Sequence, residues 1–407
     1  MPLADLRARA KALDAADPLA GFRARLAVPE GRIYLDGHSL GLLPRATPAR
    51  LARVAEAEWG QDLVASWNVA GWIEAPARIG AMIAPLVGAG ADEVTACDSV
   101  SVNLFKLVVA ALRLRPGRPV VLVEDGDFPT DHHVADAAAR LMGAGVRAVP
   151  RARLPESLGP EVALLLLSHV HYRTAAVHDM AALTTAAHAA GALVLWDLSH
   201  STGAVEVDLG AADMAVGCGY KYLHGGPGAP AFAFVARRHH AGLDQPIAGW
   251  MGHAEPFAFA PRYTPAPGIR RLLAGTPPIL AMAALEEGVA LVAEAGPARL
   301  AAKARALGDL FIACLDTLAL PGIRLVSPRA GRGGHVSITH PEAWPLVRAL
   351  EAAGVTGDFR APDGARFGFA PLGLAFVDVV QAAGILARVV AGGAHRAPEH
   401  RVQRLVT

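Results

Sequence analysis

Seven short apolar runs, separated by segments with helical periodicity, constrain the fold of this 407-residue chain more than any other feature. They are apolar throughout rather than alternating, which is typical of strands buried on both faces of a sheet. Strands that alternate with helices form a mostly parallel sheet covered by helices. The sequence therefore predicts an α/β fold with a mostly parallel, seven-stranded sheet. The predicted strands are Val94–Cys97, Val120–Glu124, Val146–Val149, Ala163–Ser168, Ala192–Asp197, Met214–Cys218 and Ala231–Val235.

The pattern changes after about Pro278, where a long helical stretch leads to scattered short strands such as "IRLVSP" and "GGHVSITH". This change predicts a smaller C-terminal α+β domain. We expect residues 1–30 to pack on that small domain, residues 31–280 to form the large domain and residues 281–407 to form the small one. The predicted helices are Ala46–Trp59, Pro76–Val87, Val102–Leu114, Asp131–Met142, Met180–Ala190, Pro278–Ala295, Pro297–Leu318 and "AWPLVRALEAAG".

Charge and cysteine content exclude several classes of partner. The net charge is +1 and no basic patch or tail is present, so nucleic acid is not an expected partner. The longest apolar run is too short to cross a bilayer, and the N-terminus has no signal-peptide pattern. Three widely spaced cysteines, without metal or redox spacing, are typical of a reducing compartment. We expect a cytoplasmic protein that binds neither membranes nor nucleic acids.

Ligands of open α/β sheets bind beyond the carboxyl ends of the strands, so the residues there are the candidates for chemistry. After the first strand, "DSVSVNLF" begins a helix, whose N-terminus can be a phosphate site or merely a capped helix. After the second strand, Phe128 can stack on a planar ligand or belong to a turn. His169 and His171 follow the fourth strand, but no further ligand spacing supports a metal there.

Asp197 closes the apolar strand "ALVLWD", and Lys221 follows the next strand in "GCGYKYLHGGPG". A nearly buried carboxylate needs a cationic or N–H partner, although such a residue is often only a structural pair. The chain has four lysines, Lys11, Lys106, Lys221 and Lys303, so the lysine at this strand end is conspicuous. A partly desolvated lysine can form a Schiff base, whereas the simplest alternative is a surface lysine.

Together these features match the requirements of pyridoxal phosphate. A helix N-terminus binds the phosphate, an aromatic ring covers the pyridine ring, a carboxylate keeps the ring nitrogen protonated, and a lysine holds the aldehyde. The order of phosphate site, aspartate and lysine is typical of the aminotransferase-like class of such enzymes.

Several motifs resemble the kynureninase family and follow its order and spacing. They are "YLDGHSLGLLP", "SWNVAGW", "SVNLFK", "DFPTD", "WDLSHSTGAVEVDL", "GCGYKYLHGGPG", "GWMGH" and "GTPPIL", within a resemblance that spans about residues 33–390. The resemblance implies a homodimeric pyridoxal-phosphate enzyme of fold type I. It also implies hydrolysis of L-kynurenine to anthranilate and L-alanine in tryptophan catabolism. 3-Hydroxykynurenine is a further substrate that the resemblance implies, and NAD biosynthesis is a further pathway.

The resemblance also implies roles for individual residues. Lys221 is the Schiff-base lysine, Asp197 the partner of the ring nitrogen, and Tyr220 a further catalytic residue. The substrate-binding positions are His38, Ser39, Trp67 and Arg366, of which Arg366 clamps the α-carboxylate. The other cofactor-binding positions are Val100, Ser101, Phe128, Asp131, Ser168, His200, Trp250 and Thr276, with Trp250 and Thr276 supplied by the partner subunit. Without the resemblance, Arg366 would be interpreted as a surface arginine.

Two departures from the family pattern concern the substrate. His38 stands where the family usually has Asn, and "VHYRTAA" lacks the usual Gly after Thr174. Other functions stay open at this point. One is a transaminase or Cβ–Cγ lyase of the same fold that acts on a different aryl-keto amino acid. Others are a desulfurase of that fold and a protein that binds the cofactor without catalysis. A nucleotide-binding protein is disfavoured because neither glycine-rich nucleotide motif is present.

Overall fold

The computed structural model describes residues 2–402. The α-helices are α1 Leu3–Ala15, α2 Thr47–Arg53, α3 Ser66–Val69, α4 Ala75–Ile83, α5 Val100–Leu114, α6 Pro129–Leu141, α7 Met180–Ala189, α8 Ile279–Ala295, α9 Pro297–Leu318, α10 Ala343–Ala352, α11 Phe376–Ala391 and α12 Pro398–Arg401. The strands are β1 Ile33–Tyr34, β2 Val94–Ala96, β3 Val120–Glu124, β4 Gly145–Val149, β5 Val162–Ser168, β6 Leu193–Asp197, β7 Met214–Gly217, β8 Phe232–Val235, β9 Arg324–Leu325, β10 His335–Thr339, β11 Val355–Thr356, β12 Asp358–Arg360 and β13 Gly364–Gly368.

A seven-stranded sheet forms the centre of the described chain, in the order β2-β8-β7-β6-β5-β3-β4. β8 runs antiparallel to both of its neighbours, and the remaining pairs are parallel. The predicted mostly parallel sheet is therefore confirmed. Its strands are the seven that the sequence predicted, and no strand end differs from its predicted position by more than one residue. The short β2 joins the sheet only through the antiparallel β8.

The two faces of the sheet build two separate cores, because successive side chains of a strand point to opposite faces. Leu165, Leu167 and Trp196 pack on one face with residues of α4, α7 and α8. Leu164 and Leu166 pack on the other face with residues of α5 and α6. Every residue of β5 and β6 is buried, which explains why neither strand shows an alternating pattern.

A second sheet, in the order β12-β13-β10-β9, is antiparallel and packs with α9, α10 and α11. The first helix, α1, contributes Leu6 and Ala10 to the same core. The strand β1 pairs in parallel with β11, which ties the chain near Ile33 to this second unit. These contacts support our proposal that the N-terminal segment packs on a small C-terminal domain.

The core around the large sheet continues past residue 280, however. Met282, Leu285 and Val289 of α8, and Leu300 at the start of α9, belong to that core. We therefore propose that the domain boundary lies within α9 rather than at residues 280–281. The change of sequence pattern precedes this proposed boundary because it begins with α8, a helix that is buried against the large sheet.

Two long helices were not predicted from the sequence. In α1 the buried positions are Leu6 and Ala10, so the apolar stripe is narrow and consists largely of alanine and leucine among charged residues. In α11 the apolar residues Phe376, Val379 and Val380 are interrupted by small residues near Gly384. None of the helices described between residues 2 and 402 is both long enough and apolar enough to cross a membrane.

We predict that Gly80→Ala will destabilise the protein by about 1–3 kcal/mol, the usual cost of overpacking. A Cβ atom at Gly80 of α4 would overlap the backbone carbonyl of Val94 in β2. The matched control is Gly384→Ala in α11, where a Cβ atom would meet nothing closer than Arg388 Nη1 at 3.9 Å. Because alanine favours a helix by about 1 kcal/mol over glycine, the control should be neutral or stabilising. Denaturant unfolding measures both, and equal effects would contradict the packing of α4 on β2.

Candidate active site

A cavity of about 210 Å³ opens at the carboxyl ends of the parallel strands. Nine of the residues that the resemblance assigned to the cofactor line it together: Val100, Ser101, Phe128, Asp131, Ser168, Asp197, His200, Tyr220 and Lys221. They come from five separate chain segments, which meet because parallel strands end at one edge of a sheet. Thr130, Val170, Tyr172 and Ser199 also line this cavity, and the sequence did not single them out.

Lys221 lies four residues beyond the end of β7, with its amine inside this cavity. Its Nζ is 3.0 Å from Nε2 of His200 and lies 6.0 Å from the centre of the Phe128 ring. Burial, and then the charge of Lys221, lower the pKa of His200 well below its ordinary value. The imidazole is therefore neutral, and its Nε2 can accept a hydrogen bond from the amine or donate one, depending on the tautomer.

Two buried carboxyl groups face the same cavity. Asp197 ends β6 and accepts a hydrogen bond from the Ser199 N–H at 2.8 Å. Asp131, in the first turn of α6, accepts one from Ser168 Oγ at 3.4 Å, and its Oδ1 has no partner in the described chain. Burial, and then the charge of Asp197, raise the pKa of Asp131 well above its ordinary value, and burial also raises the pKa of Asp197. The pair therefore favours a ligand that brings an N–H group or a positive charge.

The N-terminus of α5 forms the opposite end of the cavity. Ser99 caps this helix by accepting the Val102 N–H at 3.3 Å, which leaves the first helical N–H groups, at Val100 and Ser101, without intrahelical partners. The nearby carboxylate of Asp98 forms an ion pair with the buried Lys106. The local charge of Asp98 is therefore neutralised, and the helix N-terminus can bind an anion such as a phosphate.

Phe128 provides an aromatic wall between these two ends. It is the residue before α6, and its ring packs edge-on against Tyr172 with the centroids 5.3 Å apart. The backbone N–H of Phe128 donates to Oδ1 of Asp127 at 2.8 Å, and Oδ2 of Asp127 accepts the Ser168 N–H at 2.8 Å. Asp127 therefore ties the loop that carries the ring to the end of β5.

These residues fit pyridoxal phosphate. The unpartnered Oδ1 of Asp131 and the paired carboxyls could bind a protonated ring nitrogen. The α5 N-terminus could bind the phosphate, and the Lys221 amine lies between the Phe128 ring and a neutral imidazole. The interpretation of Lys221 as an ordinary surface lysine is thus not supported.

Lysine scarcity alone would have been misleading, because Lys106 and Lys303 are also buried, each in an ion pair with an aspartate.

The predicted substrate residues lie behind or beside the cavity rather than in its wall. His38 is completely buried, and Ser39 Oγ donates to Asp358 Oδ2 at 3.1 Å. Arg366 is only 2% exposed, so its interpretation from the residues alone as a surface arginine is wrong. It sits in the middle of β13, in the small sheet, where a charged side chain is buried only with a partner.

Trp67, Trp250 and Thr276 lie away from the Lys221 cavity in this single chain. Trp67 packs edge-on against Trp250, with ring centroids 6.4 Å apart, and Trp250 packs against Phe257 at 5.7 Å. Thr276 lines a different surface cavity beside Gly228.

Three imidazoles, His38, His200 and His335, lie close together, and His200 contacts the Lys221 amine. The centroids of His38 and His335 are 5.0 Å apart, and His200 lies 5.9 and 5.5 Å from them. Burial lowers the pKa of each well below its ordinary value, so all three are neutral. The sequence did not indicate His335; the only signal was its position in the apolar strand run "GGHVSITH", where a histidine is out of place.

The chain matches known proteins along nearly its full length. Residues 300–386 match the family model described as the kynureninase C-terminal domain. A kynureninase from Burkholderia mallei (strain SAVP1) is 46% identical over 413 residues, covering 98% of this chain and 99% of that protein. A kynureninase from Deinococcus radiodurans is 47% identical over 401 residues, covering 96% and 97%. This chain belongs to the kynureninase family.

Solved structures agree on the fold that the kynureninase family resemblance predicts. A variant of C-DES, with glycine covalently linked to its pyridoxal phosphate cofactor, matches with a TM-score of 0.78 at 18% identity. The match covers 90% of this chain and 98% of that one. The predicted aminotransferase-like fold of type I is confirmed.

We predict a pH-dependent effect of Asp131→Asn on the stability of the cofactor-free protein. Because the pKa of Asp131 is raised on folding, the wild type loses stability as the pH rises above about 4, the ordinary value for Asp. The variant lacks this loss of stability. The melting temperature of the variant minus that of the wild type should therefore be larger at pH 8 than at pH 5. The exposed Asp136→Asn on the same helix is the control, without a pH-dependent difference. Equal destabilisation by Asp131→Asn at both pH values would contradict a raised pKa of the buried Asp131 carboxyl.

Proposed function

We propose that this chain hydrolyses L-kynurenine to anthranilate and L-alanine, with pyridoxal 5'-phosphate as cofactor. The observation that carries the proposal is the convergence of Lys221, Asp197 and the α5 N-terminus on one cavity, in a chain 46% identical to a kynureninase over nearly its whole length. The same site would accept 3-hydroxykynurenine, since the extra hydroxyl is on the ring and not at the reacting atoms. Both reactions belong to tryptophan catabolism, and the second leads towards NAD biosynthesis.

The residues of the cavity divide the tasks of this reaction. The N–H groups at the start of α5 would bind the phosphate, and Phe128 would cover one face of the cofactor ring. Asp197 and Asp131 would keep the ring nitrogen protonated. When bound, the cofactor supplies an electron sink for the negative charge that develops on the substrate carbon. The Lys221 amine would hold the cofactor, take the Cα proton and return protons to the substrate.

Two neighbours of Lys221 assist these proton transfers. The neutral His200, whose Nε2 lies 3.0 Å from Nζ, hydrogen bonds to the amine and so orients it for these transfers. Burial raises the pKa of Tyr220 above its ordinary value, so its hydroxyl stays protonated and can donate to the carbon left when anthranilate departs. Water adds to the side-chain ketone before the Cβ–Cγ bond breaks, which makes the overall reaction a hydrolysis.

A desulfurase reaction of the same fold is disfavoured by the cysteines. That chemistry needs a nucleophilic thiolate, which forms at partly exposed, electropositive positions. Cys97, Cys218 and Cys314 are all buried, and burial raises the pKa of Cys97 to about 12 and that of Cys314 to about 11. Their free state is also consistent with our proposal of a cytoplasmic location. A transaminase remains the alternative that the product analysis below separates.

The first test is to load the purified protein with cofactor, add L-kynurenine and measure anthranilate and L-alanine. We expect equal amounts of both products, and activity lowered at least about 10³-fold in Lys221→Ala and about 10²-fold in Asp197→Asn. Lys221→Ala should also lose the visible absorbance of lysine-bound cofactor. The folded control is Asp136→Asn. A keto acid in place of alanine would identify a transaminase instead.

We propose that the active form is a homodimer in which the partner subunit supplies Trp250 and Thr276. An exposed apolar surface supports this: Val64 is 78% and Phe259 77% exposed, and Trp59, Val69 and Phe257 are exposed as well. Contiguous apolar surface of this kind marks an association site. It adjoins Trp67 and Trp250, the predicted site residues that lie away from the cavity of their own chain.

The dimer has two tests. Val64→Asp should give a monomer in sedimentation velocity, whereas Leu141→Asp, equally exposed on α6, should not. Mixing inactive Lys221→Ala and Trp250→Ala chains, after dissociation and reassociation, should restore activity to about a quarter of the wild type, because half of the dimers then carry one intact site. If the wild type is a dimer but the mixture of the two variants regains no activity, Trp250 acts within its own chain.

A further inference from the structure

The guanidinium of Arg366 is held by a carboxylate of its own chain. Asp358 on β12 lies directly opposite Arg366 on β13 in the antiparallel register. Arg366 Nε donates to Asp358 Oδ1 at 2.7 Å, and Arg366 Nη2 donates to Asp358 Oδ2. Both side chains are only 2% exposed. The carboxylate therefore occupies one whole edge of the guanidinium in a bidentate pair.

The other end of the guanidinium contacts a residue of the cavity wall. Arg366 Nη1 donates to the backbone carbonyl of Tyr172 at 2.6 Å, and Tyr172 lines the cavity that contains Lys221. A guanidinium has five N–H donors, of which Asp358 and Tyr172 take three. One N–H therefore remains on Nη1 and one on Nη2. Two such donors match the two oxygens of a carboxylate.

Asp358 is itself fixed by two further groups. Ser39 Oγ donates to its Oδ2 at 3.1 Å, and Arg360 Nη2 lies 2.9 Å from the same oxygen. The neutral His38 is a close neighbour, with Nε2 3.8 Å from Oδ1. Asp36, His38 and Asp358 are close enough together to bind a cation. Two arginines already neutralise Asp358, however, so a metal would have to displace them. The contacts instead clamp the loop with Ser39 to the small sheet.

We propose that Asp358 is a positioning residue, which aims the two remaining N–H groups of Arg366 at the substrate α-carboxylate. The inference rests on the proposed function, in which Arg366 binds that carboxylate. A guanidinium on a flexible stem has many rotamers, and a partner that fills one edge leaves a single orientation for the other. Asp358 also supplies the counter-charge that allows Arg366 to be buried before the substrate binds.

The test compares two ligands that cannot react through an amine. 3-Benzoylpropanoate carries the aryl ketone and the carboxylate, and butyrophenone has a methyl group in place of the carboxylate. The ratio of their dissociation constants, measured by calorimetry on cofactor-loaded protein, reports the carboxylate contact alone. We expect Asp358→Asn to lower this preference about tenfold or more, and to raise KM for L-kynurenine by a similar factor with kcat changed less than about threefold.

The matched control is Asp309→Asn, which removes the partner of another buried arginine, Arg332, away from the cavity. It should leave both the ligand ratio and KM at wild-type values. Should Asp358→Asn fail to fold, Asp358→Glu keeps the charge but moves it by one methylene, and should lower the ratio to a smaller extent. A wild-type ratio in a folded Asp358 variant, or no carboxylate preference in the wild type, would overturn the inference. A protein that releases no anthranilate but loses the preference in Asp358→Asn would retain the inference and refute the proposed function.

Discussion

Burial of the central strands on both faces is the constraint on which the rest of the structure depends. A strand such as β5, with every residue buried, has no room for a polar side chain until it ends. Polar groups are therefore confined to the strand ends, and in a parallel arrangement the carboxyl ends share one edge. Ser168, Asp197 and Lys221 each lie at or just beyond such an end. The cavity is a consequence of the way in which the sheet is covered.

The same burial sets the electrostatics of the cavity. Burial is the largest influence on the pKa of Asp131, Asp197 and His200, and it favours the neutral form of each. Asp131 and Asp197 cannot both ionise without a large cost in free energy. The same cavity also contains the Lys221 amine and the α5 N-terminus. A ligand with a protonated nitrogen and a phosphate would balance these charges. The arrangement is costly for the empty protein, as is common at functional sites, where selection favours the bound state.

The small sheet contributes a second, independent constraint. Arg366 is placed near the cavity because β13 pairs with β12, so that Asp358 stands directly opposite. The loop that carries His38 and Ser39 is joined to the same carboxylate. In the proposed site, substrate recognition would therefore depend on the contact between two units of the chain, whereas the cofactor residues that this chain places around the cavity come from the large sheet. We expect changes in the small unit to alter the substrate preference more than cofactor binding.

Much of this protein was determined by the sequence alone. The seven strands were predictable because a strand buried on both faces must be apolar along its length. Nine of the cofactor positions that the kynureninase resemblance implies, Lys221 among them, line one cavity. Only the tertiary structure decided which residues face each other across distant segments. It buried Arg366 against Asp358, placed His335 beside His38, and left Trp250 outside the cavity of its own chain. The helices α1 and α11 were also not predicted, because the apolar stripe of α1 is narrow and the apolar residues of α11 are interrupted by small residues. Only the core that both helices join shows which of their residues are buried. The hydrophobic pattern of a segment indicates which of its residues are buried, whereas pairing between distant segments determines which charged residues contact each other.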